Sequence, residues 1–336
     1  MSESNQTLRF GILGTAKITR RLVPAIREAA NAELCAIASR TGESAKAWAQ
    51  QYACDRIYVS YPELLAQPDI DAIYLPLPPS LHREWTIAAA DAGKHVLCEK
   101  PLALTAADAE AMAAACAANG VQLMDGVMWV HHDRTPAMKR MIDSADFAPL
   151  RRVTAAFSIN MMDELQGNFR LDPALGGGGL WDLGYYCVRA VLWAFAELPR
   201  RVYATARFEG GVDLNLSAIM WFDDDRMASI DCGFDTAFRT WMEVAGGGGS
   251  LVCDRFTRPL DGPTAPFYIH HGFDDAKEEI PNHDQIVRMI ETFAASALSG
   301  DLDPRWPREA IDTVRLCEAL LRSAHDGQAV ELPAPA

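Results

Sequence analysis

The fold of this chain is decided by the stretch Leu8-Arg9-Phe10-Gly11-Ile12-Leu13-Gly14-Thr15-Ala16-Lys17-Ile18. Residues 8–13 form a short apolar run that predicts a β-strand, and residues 17–30 predict a helix. A tight turn between them, with free backbone N–H groups, can hold a phosphate at the start of the helix. The fit to GxGxxG is imperfect, because Ala16 and Thr19 stand where the second and third glycines would follow. The stretch predicts a dinucleotide-binding turn, with a plain strand–helix turn as the alternative.

Outward from this turn, the first third of the chain alternates short apolar segments with helical ones. Strands that are almost entirely apolar are typical of a parallel sheet covered by helices on both faces. This alternation predicts an NAD(P)-binding Rossmann domain over residues 1–125. The predicted strands cover residues 8–13, 33–39, 57–59, 70–75, 95–98 and 121–124.

The pattern changes near Asp125. Later strands are longer and alternate polar with apolar residues, which is typical of an antiparallel sheet with one covered face. Residues 246–249 are a glycine run between two such strands and predict a hairpin turn rather than a ligand site. The second part, residues 126–336, is therefore predicted to be an α+β domain that binds substrate. Its predicted helices cover residues 134–144, 180–196, 284–299 and 308–323.

Composition limits the possible partners and location of the protein. The 336 residues carry a formal net charge of −14, which argues against nucleic acid or an anionic membrane as a partner. The eight cysteines form no CxxC pair, so buried reduced thiols are expected and a metal site is not. Residues 1–7 are polar and lack the apolar core of a signal peptide, and no apolar run is long enough to span a bilayer. These features predict a cytoplasmic protein.

The second predicted strand ends in Ser39-Arg40 and not in an acidic residue. A carboxylate at this point would bind the ribose 2′-hydroxyl of NAD, whereas a hydroxyl with a guanidinium suits the 2′-phosphate of NADP. NADP is therefore the predicted cofactor, with NAD as the alternative, and a merely solvated arginine explains the pattern equally well.

The loop after the fourth strand contains three prolines and is predicted to be stiff and extended. Its position at the carboxyl edge of the sheet suits packing along the cofactor, although a helical histidine such as His82 is often structural. The residues predicted to bind the dinucleotide are Gly11, Gly14, Thr15, Ala16, Lys17, Ile18, Ser39, Arg40, Leu75, Pro76, Leu77, Pro78, His82, Glu99 and Lys100.

A catalytic constellation is predicted from Glu99-Lys100-Pro101 and Gly177-Gly178-Gly179-Leu180-Trp181-Asp182-Leu183-Gly184-Tyr185-Tyr186. Spacing of four residues places Asp182 and Tyr186 on one helix face. An ammonium lowers the pKa of a nearby phenol from its ordinary value of about 10, so Lys100 can prepare Tyr186 for proton transfer. Asp182 would orient the lysine or the substrate. The structural alternatives are that Lys100 lies in a surface turn, that Tyr186 anchors the core, and that Asp182 is a charge at a helix N-terminus. Pro101 is also a candidate for a cis peptide bond.

The predicted substrate-binding residues are Trp129, Arg170, Asp182 and Tyr186. Arg170 precedes the glycine run and either lines the substrate cleft or forms a structural ion pair. Trp129, His131 and His132 follow the domain junction and could wall the pocket; their spacing does not suggest a metal site.

Together these residues resemble the Gfo/Idh/MocA family of NAD(P)-dependent oxidoreductases. The resemblance extends over essentially the whole chain and rests on Gly11-Ile12-Leu13-Gly14, Glu99-Lys100-Pro101 and the run from Gly177 to Tyr186. The family implies a Rossmann domain followed by a domain with a large open sheet, which is often used for dimerisation. A homodimer or higher homo-oligomer is expected on this basis.

Many members of the family have histidine where this chain has Tyr186. Tyrosine resembles the branch that contains dimeric dihydrodiol dehydrogenase, glucose–fructose oxidoreductase and sugar 1-dehydrogenases. The resemblance implies that Lys100 and Tyr186 carry the chemistry, with Tyr186 as acid and base.

The expected function is NADP-dependent hydride transfer between nicotinamide and a hydroxyl or carbonyl carbon of a sugar, cyclic polyol or dihydrodiol. A non-catalytic NAD(P)-binding sensor of the same fold is an alternative, and so is an NAD-dependent glycosidase. The segment Met128-Trp129-Val130-His131-His132-Asp133 departs from the patterns of the branch, which leaves the substrate open.

Overall fold

The computed structural model describes residues 6–333. Most of the polar segment 1–7 and the last three residues lie outside this range. The chain forms two compact units, one of residues 1–131 with 284–311 and the other of residues 132–283 with 312–336. Residues 284–311 thus belong with the amino-terminal unit although they come late in the chain. The division of cofactor and substrate binding at residue 125 stays a prediction.

The first unit contains a six-stranded sheet that is parallel throughout. Its strands are β1 Leu8–Leu13, β2 Ala32–Ala38, β3 Ile57–Tyr58, β4 Ala72–Leu75, β5 His95–Cys98 and β6 Leu123–Asp125. Their order in the sheet is β3-β2-β1-β4-β5-β6, so the strand order reverses between β1 and β4. In sheets of this kind ligands bind outside the carboxyl ends of the strands at that reversal. The predicted Rossmann fold is confirmed.

The helices agree with the predicted segments to within a few residues at each end, except that the short helix Tyr61–Leu65 was not predicted. Three of them are capped by hydroxyl groups: Thr41, Ser60 and Thr105 accept hydrogen bonds from the backbone N–H groups of Ser44, Glu63 and Asp108. The helices are α1 Thr19–Glu28, α2 Gly42–Gln51, α3 Tyr61–Leu65, α4 His82–Asp91, α5 Ala106–Ala118, α6 Arg134–Ile142, α7 Tyr185–Phe195, α8 Gln285–Ser299 and α9 Arg305–Asp326. Phe293 of α8 packs on Phe10 of β1 with ring centroids 5.7 Å apart, which explains why residues 284–311 join the first unit.

The second unit contains a nine-stranded sheet. Its strands are β7 Leu150–Ser158, β8 Arg201–Glu209, β9 Val212–Trp221, β10 Met227–Gly233, β11 Arg239–Gly246, β12 Ser250–Asp254, β13 Thr264–His271, β14 Asp274–Pro281 and β15 Val330–Glu331. Their order is β14-β13-β12-β11-β7-β10-β9-β8-β15, and β7 with β10 is the parallel pair among otherwise antiparallel neighbours. The prediction of a mostly antiparallel sheet is confirmed.

Two local predictions are also confirmed. The Gly246 N–H donates to the Gly249 carbonyl at 2.8 Å and closes the turn between β11 and β12. The peptide bond between Lys100 and Pro101 is cis.

All eight cysteines are free thiols, and seven of them are buried. Among residues 6–333, no helix combines the length and apolar character that crossing a membrane requires.

Candidate functional site

The predicted dinucleotide turn joins β1 to α1 at a position that requires glycine. Gly14 has a φ of +105°, and a Cβ atom there would lie 2.8 Å from the Leu77 Cδ2 atom. A side chain would therefore be strained by the backbone and would also displace Leu77. The Gly14 N–H donates to the Ala38 carbonyl at 2.8 Å, which fixes the turn against β2. The predicted prolyl loop thus packs directly on the predicted glycine turn.

Thr19, which stands where a third glycine would follow, has a structural role of its own. Its side chain is buried, and its hydroxyl donates to the Ala16 carbonyl at 2.7 Å. The same hydroxyl accepts a hydrogen bond from Trp48 Nε1 at 2.9 Å. Trp48 belongs to α2 and was not predicted as a site residue. The departure from GxGxxG is therefore offset by a buried hydrogen bond that holds the turn.

Ser39 and Arg40 follow β2 at the carboxyl edge of the sheet. The Ser39 N–H donates to the Tyr58 carbonyl at 3.1 Å, and its side chain is buried. Arg40 is exposed and makes no ion pair within residues 6–333. Burial raises the pKa of Tyr61, and the nearby Arg40 guanidinium offsets part of that rise. A guanidinium without an acidic partner, in a chain with net charge −14, is well suited to an anionic ligand.

His82 lies between the prolyl loop and the loop that carries Lys100, and it has no exposed surface. Its Nε2 atom is 2.8 Å from the Leu77 carbonyl oxygen, and its Nδ1 atom is 2.9 Å from the Pro101 carbonyl oxygen. Burial lowers the pKa of His82, while the carbonyl contacts act in the opposite direction. The structure thus gives His82 a role in tying two loops together, and its predicted contact with the cofactor stays a prediction.

Glu99 and Lys100 follow β5 at the same edge. The Tyr74 hydroxyl donates to Glu99 Oε1 at 2.5 Å, and the Lys100 backbone N–H donates to Oε2 at 3.3 Å. Burial raises the pKa of Glu99, and the Tyr74 hydrogen bond and the Lys100 charge lower it in part. A Cβ atom at Gly126 would lie 3.1 Å from Glu99 Oε1, so the carboxyl group is enclosed on that side too. Glu99 is placed to fix the backbone from which the Lys100 side chain extends.

Arg170 and Asp182 form a two-point ion pair in the second unit. Arg170 Nε donates to Asp182 Oδ2 at 2.6 Å, and Nη2 donates to Oδ1 at 3.3 Å. The Asp182 side chain is 14% exposed and that of Arg170 is 28% exposed, so water screens the pair only in part. The guanidinium also lies over the Phe169 ring, 4.9 Å from its centroid. Of the two roles predicted for Arg170, lining the substrate cleft or forming a structural ion pair, the structure shows the ion pair, and the contact with substrate stays a prediction.

The helix that carries Asp182 and Tyr186 begins with a π-helical turn, Leu180–Gly184, and continues as α7. The Tyr185 N–H reaches back to the Leu180 carbonyl across this turn. Single π-helical turns inside helices are frequent at functional sites. The sequence predicted one regular helix over residues 180–196, and the wider first turn is the difference.

Tyr186 is buried, with 8% of its surface exposed. Its ring packs edge-on against Phe157 of β7, with centroids 5.6 Å apart, and Phe157 packs in the same way against Phe238 at 6.4 Å. Phe238 is itself 46% exposed. The three rings thus form a continuous row of aromatic contacts from the buried Tyr186 to the exposed Phe238.

Asp213 at the start of β9 contacts the glycine run and was not predicted from the sequence. Its buried carboxylate accepts a hydrogen bond from the Leu180 N–H at 2.7 Å. Gly178 has a φ of +125°, and a Cβ atom there would overlap an oxygen of this carboxylate. A Cβ atom at Gly177 would overlap the Arg170 carbonyl. The glycine run is therefore required by close backbone packing on both sides of the start of the helix.

Substitution of Gly178 by alanine is expected to destabilise the protein by about 2–4 kcal/mol, because the new methyl group would meet Asp213 in a backbone conformation that disfavours side chains. Gly210→Ala is the matched control: φ is +62°, and a Cβ atom there meets nothing within 4 Å. The free energy of unfolding of the control is expected to fall by roughly 1–2 kcal/mol. Denaturant unfolding of both variants measures the difference; equal losses would contradict the role of the Asp213 contact.

Trp129 and the neighbouring histidines lie in packed surroundings. Trp129 has no exposed surface, and the His131 ring packs against Trp306 with centroids 4.7 Å apart. His132 is buried, and its Nδ1 accepts a hydrogen bond from the Arg134 N–H at 3.0 Å. These contacts are structural, and the predicted contact of Trp129 with substrate stays a prediction. Within residues 6–333, no group of three or more metal-ligating side chains could hold a metal ion.

The structure thus gathers the predicted residues in two sets. In the first unit, the turn at Gly14, the prolyl loop, His82 and the Lys100 loop contact one another at the carboxyl edge of the parallel sheet. In the second unit, Arg170 and Asp182 pair at the start of the helix that carries Tyr186.

Comparison with known proteins gives two family models that match the chain. The model described as "Oxidoreductase family, NAD-binding Rossmann fold" matches residues 8–127, and the GFO/IDH/MocA C-terminal domain matches residues 136–252. A D-xylose 1-dehydrogenase (NADP(+)) from Haloferax volcanii is 36% identical over 97% of this chain and 100% of the relative. A dTDP-3,4-didehydro-2,6-dideoxy-alpha-D-glucose 3-reductase from Actinomadura kijaniata is 33% identical over 95% of this chain and 96% of the relative.

Solved structures agree with these relatives. A 3-ketoreductase from Actinomadura kijaniata, in complex with NADP and TDP-benzene, superposes with a TM-score of 0.89 at 30% identity and covers 95% of this chain and 98% of its own. An aldose–aldose oxidoreductase from Caulobacter crescentus has a TM-score of 0.89 at 28% identity and covers 97% of this chain and 100% of its own.

Proposed function

Because this chain belongs to the Gfo/Idh/MocA family of oxidoreductases, we propose that it is an NADP-dependent enzyme that transfers a hydride between nicotinamide and a hydroxyl or carbonyl carbon of a sugar or polyol. The observation that carries the proposal is the full-length similarity to an NADP-dependent sugar dehydrogenase in a chain that has both Lys100 and Tyr186. Cyclic polyols and dihydrodiols remain within the proposed range of substrates.

The residues at the carboxyl edge of the first unit fit a dinucleotide. The turn at Gly14 leaves no room for a Cβ atom, as expected where backbone N–H groups approach a pyrophosphate. Ser39 and the unpaired Arg40 would hold the 2′-phosphate of NADP, and residues 75–78 would pack along the cofactor. When bound, the cofactor supplies or accepts the hydride; every proton must be moved by the protein.

In the proposed reaction, Tyr186 exchanges a proton with the substrate oxygen, and the Lys100 ammonium stabilises negative charge on the phenol and on that oxygen. Asp182 accepts from a substrate hydroxyl and is held in place by Arg170. Burial of Tyr186 limits the access of water to the phenol, which strengthens these electrostatic effects.

A screen of sugars, polyols and dihydrodiols with NADP and NAD, read at the nicotinamide absorbance band, tests the function. D-Xylose with NADP is expected to give reduced cofactor. Tight NADPH binding without any absorbance change across the panel would favour a non-catalytic sensor. Release of a leaving sugar without net reduction of cofactor would favour a glycosidase.

Arg40→Ala is expected to weaken NADPH binding by about 10- to 100-fold, because a charged hydrogen bond to the 2′-phosphate is lost. NADH, which lacks this phosphate, should bind both proteins equally. Fluorescence titration of each protein with NADPH and with NADH measures the two dissociation constants. Arg322→Ala removes another exposed arginine, on α9, and should change neither affinity. If Arg40→Ala weakened the binding of both nucleotides alike, the preference for NADP would have another origin.

We also propose a homodimer that forms through the open face of the nine-stranded sheet. Tyr203 of β8 and Ile219 of β9 lie directly opposite each other in the sheet, and each is about two-fifths exposed, at 39% and 40%. Paired apolar side chains on a sheet face suit burial against a second copy. Light scattering of the purified protein measures the oligomeric state. A cytoplasmic location also remains a proposal.

A further inference from the structure

Asp213 is a buried carboxylate that contacts the start of the helix bearing Asp182 and Tyr186. It is 2% exposed, and it accepts hydrogen bonds from the backbone N–H groups of Gly179 and Leu180, the latter at 2.7 Å. These N–H groups belong to the first turn of a helix, where no carbonyl of the helix itself is available to accept from them. The carboxylate therefore supplies the acceptors that the π-helical turn needs.

The same turn is fixed from its other side by the segment that carries Arg170. The Gly178 N–H donates to the Arg170 carbonyl at 3.0 Å, and the Asp182 N–H donates to the Gly178 carbonyl at 3.1 Å. Gly178 is thus held between Arg170 and Asp213. The Asp213 acceptors therefore hold the inner side of the turn that leads to Asp182 and α7.

No charged side chain among the described residues lies close enough to shift the ionisation of Asp213. The titratable groups that face it are the thiols of Cys232 on β10 and Cys317 on α9, and burial raises the pKa of both well above the ordinary range. Arg189 of α7 lies near Cys317 and donates to Thr313 at 2.8 Å. Burial raises the pKa of Asp213 to about 7, and the backbone hydrogen bonds oppose this rise.

We propose that Asp213 is a positioning residue for the hydride transfer proposed above, and that only its ionised form holds the helix start in the geometry that places Tyr186 and Asp182 for reaction. This inference rests on the proposed function. A protonated carboxyl group carries an O–H donor and is a weaker acceptor than a carboxylate, so it holds the two backbone N–H groups less tightly. Activity should therefore rise with pH as Asp213 ionises around neutrality.

Stability should change in the opposite direction. An aspartate in the unfolded chain has a pKa of about 3.9, whereas that of Asp213 in the folded protein is about 7. Since the folded value is the higher one, the native state binds the proton more tightly. The contribution of this group to stability is complete below about pH 4 and is lost as the pH rises through 7. The form that is best for folding is thus not the form that is best for reaction.

Asp213→Asn tests the inference, because asparagine keeps the shape and one acceptor but never ionises. With NADP and D-xylose, kcat is expected to fall by about 10- to 100-fold, since small displacements of reacting groups have effects of this size. The NADPH dissociation constant should remain that of the parent. The rise of kcat around pH 7 and the fall of the unfolding temperature between about pH 4 and pH 7 should both disappear.

Asp284→Asn is the matched control. Asp284 caps α8 by accepting from the Ile286 N–H at 2.7 Å, but it is exposed and α8 carries no predicted site residue. This variant should keep the parental kcat and both pH profiles. A parental kcat and pH profile in Asp213→Asn, with only the unfolding temperature changed, would reduce Asp213 to a structural cap and overturn the inference.

Hydrogen exchange provides a readout that does not depend on turnover. After correction for the intrinsic pH dependence of exchange, the amides of residues 179–186 should be better protected above pH 7 than below it in the parent, and equally protected in Asp213→Asn. If no sugar is turned over but this change in protection is seen, the proposed function fails. The result still supports the inference that ionised Asp213 fixes the start of the helix. Protection that does not change with pH in the parent overturns the inference in either case.

Discussion

Turnover of the Tyr186→Phe variant is expected to fall by about 10²- to 10⁴-fold, which is the range that a positioned acid or base contributes. The substitution removes one oxygen and leaves the ring. The edge-on contact with Phe157 at 5.6 Å should persist, so the helix and its first turn should keep their structure. The dinucleotide residues belong to the first unit, and NADPH should bind with parental affinity. Steady-state kinetics and a fluorescence titration measure the two effects separately.

Tyr203→Phe is the control for this variant, since it makes the same chemical change at a half-exposed tyrosine of β8. Its turnover should match that of the parent. Should Tyr186→Phe also keep parental turnover on the preferred substrate, the proton would have to come from another group. A variant that lost NADPH binding as well as turnover would indicate a folding defect and would call for a check of its unfolding temperature.

The fold was largely predictable where local sequence and final environment agree. β5 begins and ends as predicted. Its apolar residues are buried in the structure, so the apolar pattern in the sequence and the final environment agree. β14 was missed because it is an edge strand with most of its residues exposed, so its sequence, Asp274-Asp275-Ala276-Lys277-Glu278-Glu279-Ile280-Pro281, has no apolar alternation. Charge on an exposed edge protects it from pairing with other chains, and this removes the pattern by which strands are recognised.

The candidate site was predictable to the extent that its residues are close in sequence. The turn at Gly14 and the loop at Lys100 each follow a strand that the sequence predicts, and position at a strand end is a local property. Trp48 and Asp213 were missed because their partners are 29 and 33 residues away. Their contacts depend on how separate elements pack, and no spacing rule in a single sequence encodes that packing.

Asp213 was hidden for a further reason. Strict alternation along β9 would place it on the same face as Asn215 and Ser217, away from the helices. In the structure the register between β8 and β9 is irregular next to Arg207 and Phe208, and Asp213 is buried. Irregularities of this kind redirect a side chain near a sheet rim. The signal available in the sequence was a carboxylate at the start of a strand that contains no basic residue to pair with it.

Lys100→Met is expected to lower turnover by about 10²- to 10³-fold at neutral pH, because without an ammonium a phenol ionises only near its ordinary pKa of about 10. Oxidation of an alcohol needs the phenolate form, so the loss should shrink as the pH is raised. Lys100→Arg keeps the charge but not the compact geometry and should lose less. The measurement is kcat for alcohol oxidation as a function of pH in the three proteins.

Lys277→Met is the control for the loss of an ammonium, since Lys277 lies on the exposed edge strand β14 and pairs with Glu279. It should leave the pH profile unchanged. The shape of the Lys100→Met profile separates two roles for this lysine. A deficit that shrinks toward pH 10 is expected if the ammonium acts on the phenol. A deficit of constant size at all pH values would contradict that role, because a lysine that only holds the substrate oxygen has no effect on when the tyrosine ionises.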